Sequence, residues 1–233
     1  MNKLLLSKDD ELANLVIEDD SEIILRLNGC DKNINIIIEK NVCVSILEIS
    51  MGTNNFITFS LKENSRLIYN RAIKNSNDFL VVNLEGISAS LELNNSIVNT
   101  TTSTTKIDIR HTSGNTTSNL VNHGINNSLG NMDFIINAYI SNDSKECITS
   151  QQNKIINTNC GKSNISPNLI VNNNDVNASH SAVISDFDNN SLFYLKSRGI
   201  TEQQSRNLLI ESFLIGNLKG IKSYIDEIKQ LLL

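Results

Sequence analysis

The chain has 233 residues with 20 basic and 25 acidic side chains, a formal net charge of −5 and 39% hydrophobic residues, which suits one domain, or one domain with a small appendage, around a real core. The acidic balance gives no electrostatic support for a nucleic-acid or anionic-membrane partner, because phosphate binding needs clustered Lys and Arg. The apolar triplet Leu4 to Leu6 runs at once into Lys8, Asp9, Asp10 and Glu11, too short and too wet for a signal peptide or a membrane span, so a cytoplasmic protein is expected.

Up to about Asp188 the chain reads as short apolar alternations punctuated by Asn, Ser, Thr, Asp and Gly, the pattern of strands separated by turns. Ile34, Ile36 and Ile38 alternate with other residues; Ile57, Phe59 and Leu61 follow, then Leu80, Val82 and Leu84, and later Phe134, Ile136, Ala138 and Ile140. Branched Cβ atoms suit such pleated runs. Strand centres recur at roughly eight to fifteen residues, a spacing shared by sandwiches, barrels and parallel β-helices. Asn makes up about one residue in six against a usual few per cent; it tolerates left-handed turns and can stack in ladders. With one proline in the chain, this tilts the choice toward a β-helix. The same excess accounts for Asn-x-Ser/Thr triplets such as Asn94 to Ser96 and Asn177 to Ser179. Cys30, Cys43, Cys147 and Cys160 form no CxxC pair, which fits neither a zinc finger nor a secreted disulfide scaffold, so reduced thiols are expected.

After Asn190 the pattern changes. Ser191 to Arg198 reads as a short helix ended by Gly199 at a left-handed position. Thr201 with Gln204 is a capping box opening a second helix through Leu208, Leu209 and Phe213. Ile221, Tyr224, Ile225, Ile228, Leu231 and Leu232 fall on one face of a third. The expected division is a β core over 1–188 and a helical segment over 189–233.

Few residues announce chemistry. Gly161-Lys162-Ser163 looks like the end of a phosphate loop, but Ile156 stands where its first glycine belongs, so nucleotide hydrolysis would have to come from a partner. His111, His123 and His180 occur without HExxH or a paired carboxylate; His111 and His123 read as structural. Cys160 and His180 are ligand types suited to iron or zinc, yet two residues do not complete a site. A carbohydrate-active β-helix is an alternative, which would need Asp108, Asp133 and Asp143 to cluster with Arg or Lys on consecutive coils.

Ser191-Leu192-Phe193-Tyr194-Leu195-Lys196-Ser197-Arg198-Gly199-Ile200 resembles the LFYLxSRGI signature of the SufB/SufD family, scaffold proteins of iron–sulfur cluster assembly. Asn174 to Ala182 resembles the family's DDVxxSHGAT strand. Ser150-Gln151-Gln152 through Ile155-Ile156 to Pro167-Asn168-Leu169 matches its Gln-rich strand and PxLxI element; Arg110-His111 and Asn122-His123-Gly124 fit more loosely. The clear match runs from Glu146 to Phe213.

The resemblance implies a right-handed parallel β-helix capped by C-terminal α-helices, and a non-catalytic scaffold working with a SufC-like ABC-type ATPase whose ATP-driven motion remodels a homodimer, or a dimer with a sister SufB/SufD subunit. A transient iron–sulfur cluster is implied, with no nucleotide bound by this chain. His180 matches the family's interface histidine. Gln152 stands at the position of an essential cysteine in SufB-type subunits, which favours a second reading, a structural ATPase-binding protein without cluster chemistry. Cys160 matches a second family cysteine and is expected either as a ligand or, preferably, as a small buried hydrophobe; Cys147 should face away from Gln152. His180, Cys160 and Glu146 are the candidate metal ligands. Phe193, Tyr194, Leu195, Arg198, Gly199, Ile200, Phe213 and Leu214 are the candidate partner-binding residues, with Phe193, Tyr194 and Leu195 expected to pack partly into the β-helix end and Phe213 and Leu214 to be the exposed anchors.

Overall fold

The computed structural model describes residues 2–7, 14–29, 31–127 and 129–233, the first stretch by its backbone path alone. The charged run Lys8 to Glu11 and Cys30 lie outside the described residues. In chain order the strands are β1 (Asn2–Ser7), β2 (Asn14–Ile17), β3 (Ser21–Asn28), β4 (Asn33–Ile38), β5 (Cys43–Met51), β6 (Phe56–Leu61), β7 (Arg66–Lys74), β8 (Asp78–Leu84), β9 (Ser90–Asn99), β10 (Ser103–His111), β11 (Thr117–Asn126), β12 (Asn131–Ile140), β13 (Cys147–Asn157), β14 (Lys162–Val171) and β15 (Val176–Ser185). Helices α1 (Asn189–Ser197), α2 (Glu202–Ile215) and α3 (Ile225–Leu232) follow.

Odd-numbered strands form an eight-stranded sheet and even-numbered strands a seven-stranded one, with parallel pairing throughout. The chain therefore winds as a two-strand-per-coil solenoid, the β-helix expected from its Asn-rich, proline-poor turns. Early coils stack residues 23 apart, as Cys43 on Arg66, and later ones residues 31 apart, as Thr117 on Ile148. That lengthening hides any fixed repeat. The alternating runs at Ile34, Ile57, Leu80 and Phe134 belong to β4, β6, β8 and β12, whose apolar phase fills the solenoid interior.

Asn works at the corners and inside. Asn41, Asn64, Ser88, Asn115 and Glu146 occupy one corner of successive coils at φ between 53° and 61°, and each amide donates to the next coil, Asn41 N to Glu63 O at 2.9 Å and Glu146 N to Asp175 O at 2.7 Å. Asn tolerates this left-handed backbone better than most side chains. Asn64 Nδ2 donates to Asn41 Oδ1 at 3.2 Å, and Asn122 Nδ2 to Asn153 Oδ1 at 2.7 Å within the core.

The tail confirms its local signals and revises its place. Asp188 caps α1, Gly199 sits at φ 84°, and Thr201 and Gln204 form the capping box of α2. The third apolar face enters α3 through a 3₁₀ turn, Lys222–Tyr224. These helices do not cap the end of the solenoid. They run back over the outer face of the eight-stranded sheet, where Leu214 and Ile228 share a core with Leu47, Ile49, Val98 and Ile125. Leu47, Ile49, Ala72, Val98 and Ile125 are apolar outer positions of those strands, and covering them removes that surface from water. Ser96 Oγ donates to Leu214 O at 2.7 Å and Arg26 pairs with Glu227 at 2.7 Å. Among the described residues no helix is long and apolar enough to cross a membrane.

Candidate functional site: the terminal coil

Along β13, Cys147, Thr149, Gln151, Asn153 and Ile155 face the interior and are buried, while Ile148 and Gln152 face out and are exposed. Cys147 and Gln152 thus lie on opposite faces, as alternation requires. Strand β15 continues this register, with Val176 beside Cys147, His180 beside Gln151 and Ile184 beside Ile155. His180 therefore takes an inward-facing position, in one row with Ala178 and Ala182. Because β15 is the last strand of its sheet, no further coil covers that row. His180 is exposed, and among the described residues no hydrogen bond engages its imidazole. Val183 and Ile184 beside it are 47% and 45% exposed.

The other two candidate ligands are elsewhere. Glu146 and Cys160 flank opposite ends of β13, whose 11 residues span about 30–35 Å, with Gln151 and His180 near the middle. Among the described residues no three His, Cys, Asp or Glu side chains of one chain converge as a metal site. Glu146 is an exposed corner residue at φ 56°. Cys160 is exposed, contrary to the buried hydrophobe preferred above, because it falls in the β13–β14 turn. There its amide donates to Asn159 Oδ1 at 3.0 Å, and the residue lines a cleft of about 450 Å³ with Phe187, Leu192 and Arg206. Among the described residues the buried thiol is Cys147, 3.1 Å from Thr116 Oγ1.

The tail divides differently from expectation. Leu192 is the residue of α1 that packs inward, whereas Phe193 and Tyr194 are 75% and 57% exposed. Leu195 in α1 is half-buried, as is Ile200 in the α1–α2 turn, where Arg198 and Gly199 are exposed. Leu214, expected as an exposed anchor, is fully buried against the sheet. Phe213 is half-buried because its ring stacks on His123 with centroids 4.1 Å apart, and its carbonyl lies 2.8 Å from His123 Nδ1. Of the expected partner-binding residues in α1, Phe193 and Tyr194 are thus the ones that stand exposed.

The remaining sequence candidates are structural. His111 bridges Thr116 and Ser118 at 2.8 and 3.0 Å, and burial pushes its pKa down to about 4. Burial also lowers that of His123. Gly161 to Ser163 leads into strand β14 instead of opening a helix, so it is no phosphate loop. Asp108 is buried in a ladder with Asn137 and Asn168 (2.7 and 2.8 Å), while Asp133 lies on the next coil and Asp143 in a turn. They form no carboxylate cluster of the kind sugar cleavage would need.

Two features escaped the sequence reading. One is a fully buried charge group in which Glu48 accepts from Arg71 Nε at 2.6 Å and from Tyr69, while Arg71 Nη2 reaches Asp78 at 3.2 Å. The other is Gln151, 1% exposed with neither amide atom bonded. The polar inward phase of β13, Thr149-x-Gln151-x-Asn153, was its only signal.

Residues 70–213 match the family model described as SUF system FeS cluster assembly, SufBD core domain. The chain is 48% identical over 50 residues to Protein ABCI7, chloroplastic, of Arabidopsis thaliana, covering 22% of this chain and 10% of that protein. It is 42% identical over 57 residues to the iron-sulfur cluster assembly SufBD family protein ML0594 of Mycobacterium leprae, covering 24% and 14% respectively. The aligned stretches thus span a small part of both relatives. The family match, by contrast, extends from the middle coils through the terminal coil into α2, and on that ground the chain belongs to the SufBD family of iron–sulfur cluster assembly proteins.

Proposed function

We propose that this chain is a cytoplasmic scaffold subunit of a SUF-type assembly complex, in which two copies, or this chain and a sister subunit, meet through their terminal coils. The observation that carries this reading is His180 in an inward-facing row that its own chain leaves uncovered. A second solenoid end would cover the row and bring two imidazoles together, and imidazole is a suitable ligand for iron. The iron–sulfur cluster is then cargo, built or passed on at that junction, with further ligands supplied from outside the single chain. A SufC-like ABC-type ATPase docks at Phe193 and Tyr194, and its nucleotide-driven movement opens the junction. ATP hydrolysis belongs to that partner; this chain is a non-catalytic scaffold.

Gln152 supports a second reading, a structural ATPase-binding subunit that never touches the cluster, since an amide supplies no thiolate where SufB-type subunits have one. Anaerobic copurification with the cell's ABC-type ATPases, followed by iron and sulfide assay, separates the two. The scaffold reading expects iron and sulfide on the wild-type complex and their loss in His180→Ala with the ATPase still bound. An ATPase complex that stays free of iron when reconstituted favours the structural reading.

A further inference from the structure

The amide of Gln151 has lost water by burial and regained no hydrogen bond, an unfavourable state that folded proteins seldom retain. Its surroundings narrow the choice of partner. Along the strand, Thr149 is engaged by Ser118, and Asn153 by Asn122 and the Ser181 carbonyl. On the preceding coil its register neighbour is Leu120, which is apolar and buried. On the following coil its register neighbour is His180, whose ring nitrogens are unbonded.

Adjacent strands lie about 4.8 Å apart, so the side chains of such a pair share one face and are within reach of each other. An exposed imidazole changes rotamer freely. We infer that Gln151 is the positioning residue for His180: its amide holds one imidazole nitrogen and leaves the other facing the open end of the solenoid. The amide oxygen of Gln151 accepts from the protonated imidazole nitrogen, which favours the tautomer whose N–H points at residue 151 and leaves the bare nitrogen open. The consequence for iron rests on the scaffold reading above: a metal takes the bare nitrogen, and the bond made by the other nitrogen decides which one that is.

The test measures the His180 tautomer in the full-length, isotope-labelled chain from its imidazole nitrogen shifts, assigned by comparison with His180→Ala. One tautomer should dominate several-fold in the wild type. Gln151→Leu should move the ratio toward that of free imidazole. Gln151→Glu, whose carboxylate only accepts, should hold the tautomer with its N–H toward residue 151, and gives the answer should the leucine variant fail to fold. A tautomer ratio identical in wild type and variants overturns the inference. A shifted ratio with iron uptake unchanged supports the pairing and counts against His180 as a ligand.

Discussion

Arg71 brings a full positive charge into the solenoid, and two carboxylates meet it there. Burial works against ionising Glu48, but the charge and hydrogen bond of Arg71 outweigh it and hold its carboxyl below the usual range. Asp78 receives less of that charge: burial, with repulsion from Glu48, pushes its pKa up to about 6. Since this lies above the ordinary 3.8, the stability Asp78 contributes is full below that value and lost as pH rises through about 6. His111 has the opposite sign. Its pKa of about 4 lies below the ordinary 6.5, so its contribution is full above 6.5 and lost as pH falls through about 4. Between pH 7 and 5 each is worth about 1–2 kcal/mol, and they oppose each other. Denaturant midpoints at pH 7, 6 and 5 should therefore fall on acidification more steeply in Asp78→Asn than in the wild type, and rise in His111→Asn. Parallel profiles for all three proteins would contradict this assignment.

Turns and faces explain what the sequence disclosed at the level of elements. Glu146 ends a corner column otherwise built from Asn and Ser, and its φ of 56° costs a side chain about 1–2 kcal/mol, against about 0.5–1 kcal/mol of extra entropy that glycine loses on folding. Glu146→Gly should therefore hold or raise stability by up to ~1 kcal/mol and leave iron content unchanged, as thermal melting and metal analysis would register. A loss of iron in that variant would restore Glu146 as a ligand. The even-numbered strands were legible because their outer face meets solvent, so their apolar residues alternate. Strands β5, β7 and β9 read poorly because the tail covers their outer face: Leu47, Ile49, Ala72 and Val98 are buried on that side while Ile46, Ile73 and Ile97 are buried on the other, and period two disappears. The helices were visible through Thr201, Gln204 and Gly199. Where they pack was not, since local signals end at the helix and the covering contacts, such as Ser96 with Leu214, are 118 residues apart. His180 was reached through resemblance to a family strand, and only register with Gln151 gave it a direction.

At the scale of the molecule, a parallel solenoid leaves a strand edge at each end, and the two edges of its terminal coil are built differently. Strand β14 carries Pro167 in its middle and Lys162 at its start, both of which discourage pairing by another chain. Strand β15 has neither: its ten residues contain no charge and no proline, and Ile184 stands exposed in the His180 row with Val183 exposed on the opposite face. An edge of that kind invites strand addition, which is where the proposed pairing of two scaffolds would form. Val183→Lys adds one charge at a position already 47% exposed, so the folded monomer should lose less than about 0.5 kcal/mol. Placed against a second apolar edge, the same lysine would be desolvated without a partner, a far larger cost. Sedimentation should therefore find the wild type paired and Val183→Lys monomeric at the same concentration, with equal melting temperatures in dilute solution where both are monomers. Persistence of the dimer in the variant would move the junction away from β15 and leave His180 outside it.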